Sequence, residues 1–268
     1  MAALTVIELG RRGYAEMVAV QERLAAQRLE GSIGDLLLLL EHPPTFTLGR
    51  RSEPSDLLHD SEWYRQRGVA ICETPRGGRV TYHGPGQLVA YPIVDLRGVG
   101  DQPTGADRVD IAGFVAGLEE AMSGALAEWG LASGRIDGLT GLWVDDGRPT
   151  ARDFAGADAA DTAPGLARGS IRKIGSIGLK IHRGVSSHGL AINVTCDLDP
   201  FDWINSCGIE TCRATSIAAE LDDDGPTVEA VGAAVADRLA GILELEIGSG
   251  SPRSIGLAGP DRVDSVAL

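Results

Sequence analysis

Apolar residues recur along the chain with two periods. In Tyr14–Leu29, Met17, Val18, Gln21, Leu24, Ala25 and Arg28 fall on one side of a 3.6-residue helix, and Gly31 follows as a stop. A second helix is predicted from Asp110, a good N-cap, through Ile111, Phe114, Val115, Leu118, Met122, Ala125, Leu126 and Trp129 to Gly130. A third is predicted from Thr227 through Val228, Val231, Val235, Leu239 and Ile242. Residues 4–9 read as a short strand. Asp35–Glu41 is a near-continuous leucine run ahead of His42-Pro43-Pro44, which fits a strand buried on both faces and stopped by proline. Alternating stretches return around 79–96 and 173–196, and Pro92 inside the first predicts a sheet edge or a bulge there.

Strands and helices are interspersed without a strict βαβ period, so the fold class is α/β in the mixed, α+β sense. One domain is expected over residues 1–247. Residues 145–170 are Asp, Ala, Gly and Pro with little apolar content, and are expected to be a flexible insertion between two strands. Residues 248–268 are expected to be a disordered tail.

Composition narrows the function classes. The chain has 268 residues, 43% hydrophobic and 23% charged, an ordinary globular mixture able to bury roughly 70–75% of its unfolded surface. A net charge of −14 disfavours non-specific binding to nucleic acid or anionic membrane. The longest apolar run is residues 36–40, far short of the ~20 residues of a spanning helix. The N-terminal stretch carries Glu8 and lacks a long apolar core, so it does not read as a signal peptide. Cys72, Cys196, Cys207 and Cys212 form no CxxC pair, which argues against a zinc knuckle and for free thiols in a reducing cytoplasm.

Charge is unevenly spread. No Asp or Glu occurs from Thr162 to Cys196, yet Arg168, Arg172, Lys173, Lys180 and Arg183 do. Such a zone is either a solvated strand face or a docking patch for an acidic partner.

Three segments could carry chemistry. Residues 76–87 bracket a strand with Gly77-Gly78 and Gly84-Pro85-Gly86, glycines that let a ligand approach the backbone, although a plain hairpin would look the same. Neither a Walker loop nor GxGxxG is present. Residues 173–182 alternate at Ile177, Leu179 and Ile181, turn at Arg183-Gly184, and return through Ser187-His188-Gly189. Lys173 stands at the strand entrance, where its stem can pack while the ammonium reaches a cleft. Residues 205–209 hold Cys207 between Ser206 and Gly208, a turn-like setting with no charge within two residues. Cys72 follows an apolar run and reads as a buried core thiol, Cys196 precedes Asp197, whose carboxylate would raise its pKa, and Cys212 is ambiguous. A thiol near pKa ~8.5 is only a few per cent thiolate at pH 7, and a neighbouring ammonium lowers that value. A Cys–Lys pair would suit acyl transfer, but from these residues alone Lys173, His83 and His188 remain rival bases.

Four segments together resemble the lipoyl(octanoyl) transferases: residues 37–49 (LLLLEHPPTFTLG), 76–92 (RGGRVTYHGPGQLVAYP), 173–194 (KIGSIGLKIHRGVSSHGLAINV) and 197–208 (DLDPFDWINSCG). The likeness spans roughly residues 33–220 outside 145–170. It implies a fold like the catalytic domain of biotin and lipoate protein ligases, with mixed sheets around a substrate cleft. It implies that Cys207 accepts the acyl group and that Lys173 lowers its pKa. Arg76, Gly77, Gly78, Arg79, Val80, Thr81, Tyr82 and His83, with Ser176, Ile177, Gly178, Gly189, Leu190 and Ala191, would line the substrate site. The implied donor is octanoyl-acyl carrier protein. The implied acceptors are lipoyl domains of 2-oxoacid dehydrogenase complexes and the glycine cleavage H protein, with no cofactor or metal. Ser206 departs from the family, which usually has proline before the catalytic cysteine. An ATP-dependent ligase of the same fold would need no thiol at Cys207. A non-catalytic lipoyl-domain binder would have no reason to keep both Cys207 and Lys173, and a cysteine hydrolase would let water compete with amine.

Overall fold

The structure is a computed structural model that describes residues 3–98, 109–136, 138–145, 171–205, 213–221 and 225–259. The chain opens with β1 (Ala3–Arg11), α1 (Tyr14–Leu29), β2 (Asp35–Glu41) and β3 (Thr45–Leu48). A short helix α2 (Ser61–Gln66) leads to β4 (Ala70–Glu73), β5 (Val80–His83) and β6 (Gln87–Ile93). Helix α3 (Ile111–Ala127) precedes β7 (Gly134–Ile136), β8 (Leu139–Asp145), β9 (Ile171–His182) and β10 (Val185–Asn193). After β11 (Arg213–Ala214) come α4 (Ile217–Leu221), α5 (Val228–Ile242) and β12 (Glu246–Ser249).

Two sheets organise these elements. The large one runs β12-β1-β2-β6-β10-β9-β8-β7 with β11 beside β9, and the small one runs β4-β3-β5. Mixed parallel and antiparallel pairs confirm the mixed α/β class. The leucine run of β2 is continuous because both its faces are covered: Leu37 and Leu39 face α3 and α5, while Leu36, Leu38 and Leu40 face α1. The helices end where their caps stand. Asp110 accepts from the Gly113 N–H and Thr227 accepts from the Ala230 N–H. Ile111, counted with the apolar face of α3, is instead 47% exposed, because it lies in the first turn ahead of the packed stretch.

Pro92 is neither at an edge nor in a register shift. It lies in β6, between β2 and β10, and pairs with Leu37. The β6–β10 ladder keeps one register from the Leu190–Ala90 pair to the Ser186 N–H bond with Val94 C=O, pausing around Pro92. On the β10 side His188 takes a left-handed backbone (φ 56°) and its N–H donates to Gln21 Oε1 at 2.6 Å. The donor that proline cannot supply is thus accommodated by a local twist of the partner strand.

The expected disordered tail is also corrected over its described part. Residues 246–249 pair in parallel with β1, and Ile255 is buried against the α1 face of the sheet. Arg12 donates to Ala258 C=O and Gly259 C=O, and Arg23 to Ile255 C=O. Backbone pairing and one anchored side chain outweigh a polar composition. Residues 146–170 and 260–268, for which an insertion and a tail were expected, lie outside the described residues.

Candidate active site

A cavity of about 720 Å³ opens between the small sheet and the β8–β9–β10 part of the large one. Each wall comes from a different element. Thr81 and His83 project from β5, Ser176 to Gly178 from β9, Gly189 to Ala191 from β10, and Tyr14 and Tyr91 from α1 and β6. Gly189 is required by close approach, since a Cβ there would sit 2.1 Å from Ala90 C=O.

Lys173 stands on the β8 side. Its register partner across the sheet is Trp143, fully buried, and Nζ lies 5.0 Å from the centroid of that ring. Nζ also donates to Thr140 C=O at 3.2 Å. That carbonyl belongs to the first residues of β8, which Glu119 of α3 fixes by accepting the Gly141 N–H at 2.9 Å. Gly141 has φ 125°, and a Cβ there would crowd Gly175 C=O and Lys173 Cε. Burial raises the Glu119 pKa, partly offset by the Gly141 N–H and by the charges of Arg135 and Lys173. The Lys173 backbone is fixed too, its C=O accepting the Thr215 N–H at 2.9 Å.

Beside the lysine wall lies a cluster of buried, neutral polar rings. His83 Nδ1 donates to Gln87 Oε1 at 2.7 Å, and Gln87 Nε2 donates to Asn193 Oδ1 and Tyr82 C=O. His42 Nδ1 donates to Arg12 C=O, and its Nε2 accepts from Tyr91 OH, both at 2.7 Å. Burial pushes His42 and His188 down to about 4 and His83 well below its ordinary value, with the Arg76 charge adding to the fall at His83 and His188. Arg76 is itself 7% exposed and donates to Thr47 Oγ1, Thr47 C=O and Gly77 C=O.

A family model described as the lipoyl protein ligase A/B catalytic domain matches residues 13–240. The chain belongs to that family. An octanoyltransferase of Acidobacterium capsulatum is 43% identical over 231 residues, 85% of this chain and 85% of its own. One from Chloroflexus aggregans is 42% identical over 244 residues, 91% of this chain and 94% of its own. In fold the chain is similar to one from the structure of a bi-partite lipoate protein ligase and its E2 lipoyl domain from Thermoplasma acidophilum. That match has a TM-score of 0.67 at 15% identity and covers 95% of this chain and 91% of the other.

The protein is thus an acyltransferase of the lipoyl ligase family. Most residues expected at its substrate site border the cavity: Arg76, Gly78, Arg79, Val80, Thr81, His83, Lys173, Ser176, Ile177, Gly178, Gly189, Leu190 and Ala191. Two do not. Tyr82 alternates to the other face of β5 and packs with Phe46 and Phe201 in the small-sheet core, where burial raises its pKa to about 12. Gly77 instead donates its N–H to Leu179 C=O at 2.8 Å, tying the loop before β5 to β9. Arg79 borders the cavity with its guanidinium held by Asp56 (2.6 Å) and Glu53 (2.9 Å).

Cys207 lies outside the described residues, as does Cys212. Cys72 is only partly buried, on β4 of the small sheet. Cys196 is buried and raised to about 12, mainly by desolvation, with Asp197 a smaller contributor. Two cations of the basic zone read from the sequence meet acids from distant segments. Arg172 is bidentate to Glu220 of α4, and Lys180 lies 3.6 Å from Glu22 of α1. Sequence reading missed Tyr14, Tyr91, Trp143, Thr140, Glu119, Asn193 and the exposed pair Arg50-Arg51. Only the last carried a local signal, two adjacent cations in an acidic chain. Among the described residues no helix is long and apolar enough to cross a membrane.

Proposed function

We propose that this acyltransferase moves an octanoyl group from the phosphopantetheine thioester of acyl carrier protein to one lysine ε-amine of a lipoyl domain. Cys207 carries the acyl group between them and Lys173 handles the protons. The observation that carries this reading is the fixed ammonium of Lys173 at the cavity wall, in a chain over 40% identical to octanoyltransferases. Both described ends of the segment bearing Cys207 are tied close by. Asn205 N–H donates to Asp56 C=O, the carboxylate of which holds Arg79, and Ala214 borders the cavity as the register partner of Lys173.

The chemistry follows in two balanced steps. The Cys207 thiolate attacks the thioester carbonyl, the carbon–sulfur bond to pantetheine breaks, and the departing thiolate takes a proton from the Lys173 ammonium. The acceptor amine then attacks the enzyme thioester, an amide forms, and the Cys207 sulfur leaves. The amine proton passes to Lys173, restoring the starting state. Because a thioester is already activated, the transfer needs no ATP. Backbone N–H groups of the glycine-bearing strands β9 and β10 would stabilise the oxyanion. His83 and His188 are poor bases for this work, since burial holds His83 well below its ordinary value and His188 at about 4, so both take up protons weakly at neutral pH.

The acceptors in this reading are the lipoyl domains of 2-oxoacid dehydrogenase complexes and the glycine cleavage H protein, and the reaction takes place in the cytoplasm. Intact-mass analysis after incubation with octanoyl-carrier protein tests it. One octanoyl adduct on the wild type, absent from Cys207→Ala, is expected. An adduct retained in that variant, or transfer seen only with free octanoate and ATP, would overturn the reading.

A further inference from the structure

We propose that Arg50 and Arg51 receive the phosphodiester of the acyl donor's phosphopantetheine arm. This assignment rests on the carrier-thioester reading above.

The two arginines follow β3 in a tight turn, are exposed, and border the mouth of the cavity. Their backbone is fixed: Arg50 N–H donates to Arg76 C=O at 3.0 Å, Arg51 N–H to Gly78 C=O at 3.1 Å, and Ser52 N–H to Gly49 C=O at 2.9 Å. A Cβ on Gly49 would fall 2.4 Å from Gly78 C=O, so the two loops nest directly on each other. The rim therefore stays in place while the side chains reach outward.

Other cations at the cavity are engaged. Arg76 is committed to Thr47 and Gly77, Arg79 to Asp56 and Glu53, and Lys173 to Thr140 and the Trp143 face. Among the described residues the guanidinium groups of Arg50 and Arg51 carry no hydrogen bond or ion pair, and Glu53, which lines the same cavity, already holds Arg79. Two adjacent uncompensated cations in a chain of net charge −14 form a local positive focus against an opposing field.

The donor's chemistry matches that focus. The octanoyl chain and the amides of the pantetheine arm are neutral, and the arm's one formal charge is its phosphodiester. With the thioester carbonyl inside the cavity, the phosphodiester stays a full arm's length out, at the mouth. Arginine forks suit phosphate oxygens geometrically as well as by charge. An acceptor lysine brings no phosphate, so these residues act on the donor half-reaction.

Acyl-enzyme formation measured with three donors tests the assignment: octanoyl-carrier protein, octanoyl-coenzyme A and octanoyl-pantetheine, which lacks phosphate. The double variant R50S/R51S should raise KM at least tenfold for the first two at low salt, with the penalty falling below twofold for octanoyl-pantetheine. Each single variant should show a smaller change of the same kind, which keeps the test open if the double variant folds poorly. Arg238→Ser, on α5 and away from the cavity, controls for loss of one positive charge. Equal KM changes for all three donors, or a change confined to the carrier protein, would overturn the phosphodiester assignment. A wild type unacylated by any donor would instead sink the carrier-thioester reading.

Discussion

The Lys173 ammonium stands 5.0 Å from the centroid of the Trp143 ring, and the two residues are register partners across β8 and β9. A cation held against a buried indole face and a backbone carbonyl is fixed in position at the cavity wall, as a proton-transfer group requires. Lys173→Ala should slow acyl-enzyme formation by about 10²–10⁴-fold, the usual worth of a positioned acid–base group. The melting temperature should move by no more than a few degrees. Lys173→Arg separates field from proton transfer: it keeps the charge but cannot deprotonate at neutral pH, and is expected to be nearly as slow. Rapid-quench acylation kinetics on both variants check this, and wild-type rates in either would remove Lys173 from the mechanism.

Glu119 acts on that lysine through Thr140 and Gly141 at the start of β8. Glu119→Ala leaves the Gly141 N–H without its acceptor, at a cost of about 1–3 kcal/mol, and loosens the carbonyl that holds Nζ. Glu119→Gln retains an acceptor oxygen and should preserve kcat within a few-fold. Burial raises this carboxyl, so the native state favours its protonated form. Its unfavourable contribution is absent at pH values below 4.5 and grows as pH rises through the raised value. Urea unfolding of the wild type and of Glu119→Gln between pH 4 and 7 isolates it: the stability of the wild type relative to the variant should fall as pH rises.

Three buried histidines predict the opposite slope. Their pKa values fall from 6.5 to about 4 for His42 and His188, so the unfolded chain binds more protons between those limits. Stability should be full above about pH 6.5 and drop as pH falls toward 4, with each histidine adding up to about 1.4 kcal/mol per pH unit. His42→Gln should flatten the curve by one such increment, read from denaturant midpoints across pH 5–7. An unchanged slope would mean that His42 takes up its proton without cost in the native state.

Ile255 is a stability test remote from the chemistry. It is 5% exposed and sits with Leu36, Leu38 and Ile93 on the α1 side of the sheet. Ile255→Ala should cost about 2 kcal/mol or more, and truncation after residue 247 should cost more still by removing the Arg12 and Arg23 anchors. Thermal unfolding of both variants measures this.

Local sequence determined what repeats within one turn or one strand. The three long helices and the cap at Asp110 were legible because capping and 3.6-residue periodicity are short-range. The two-sided burial of β2 was legible in its unbroken leucines. The motif segments pointed to most of the cavity wall through their resemblance to the lipoyl(octanoyl) transferases, while their glycines alone also fitted a plain hairpin.

What only the tertiary structure decided involves partners far apart in the chain. Pro92 reads locally as an edge, and its accommodation in β6 depends on His188 and Gln21. Arg172 reads as surface charge until Glu220 arrives from α4. Tyr82 and His83 are neighbours in sequence, yet strand alternation sends one into the small-sheet core and the other to the cavity. The histidines offered themselves as bases equal to Lys173 until burial lowered their basicity. Desolvation and ion pairing depend on everything packed around a group, and a linear sequence does not display its surroundings.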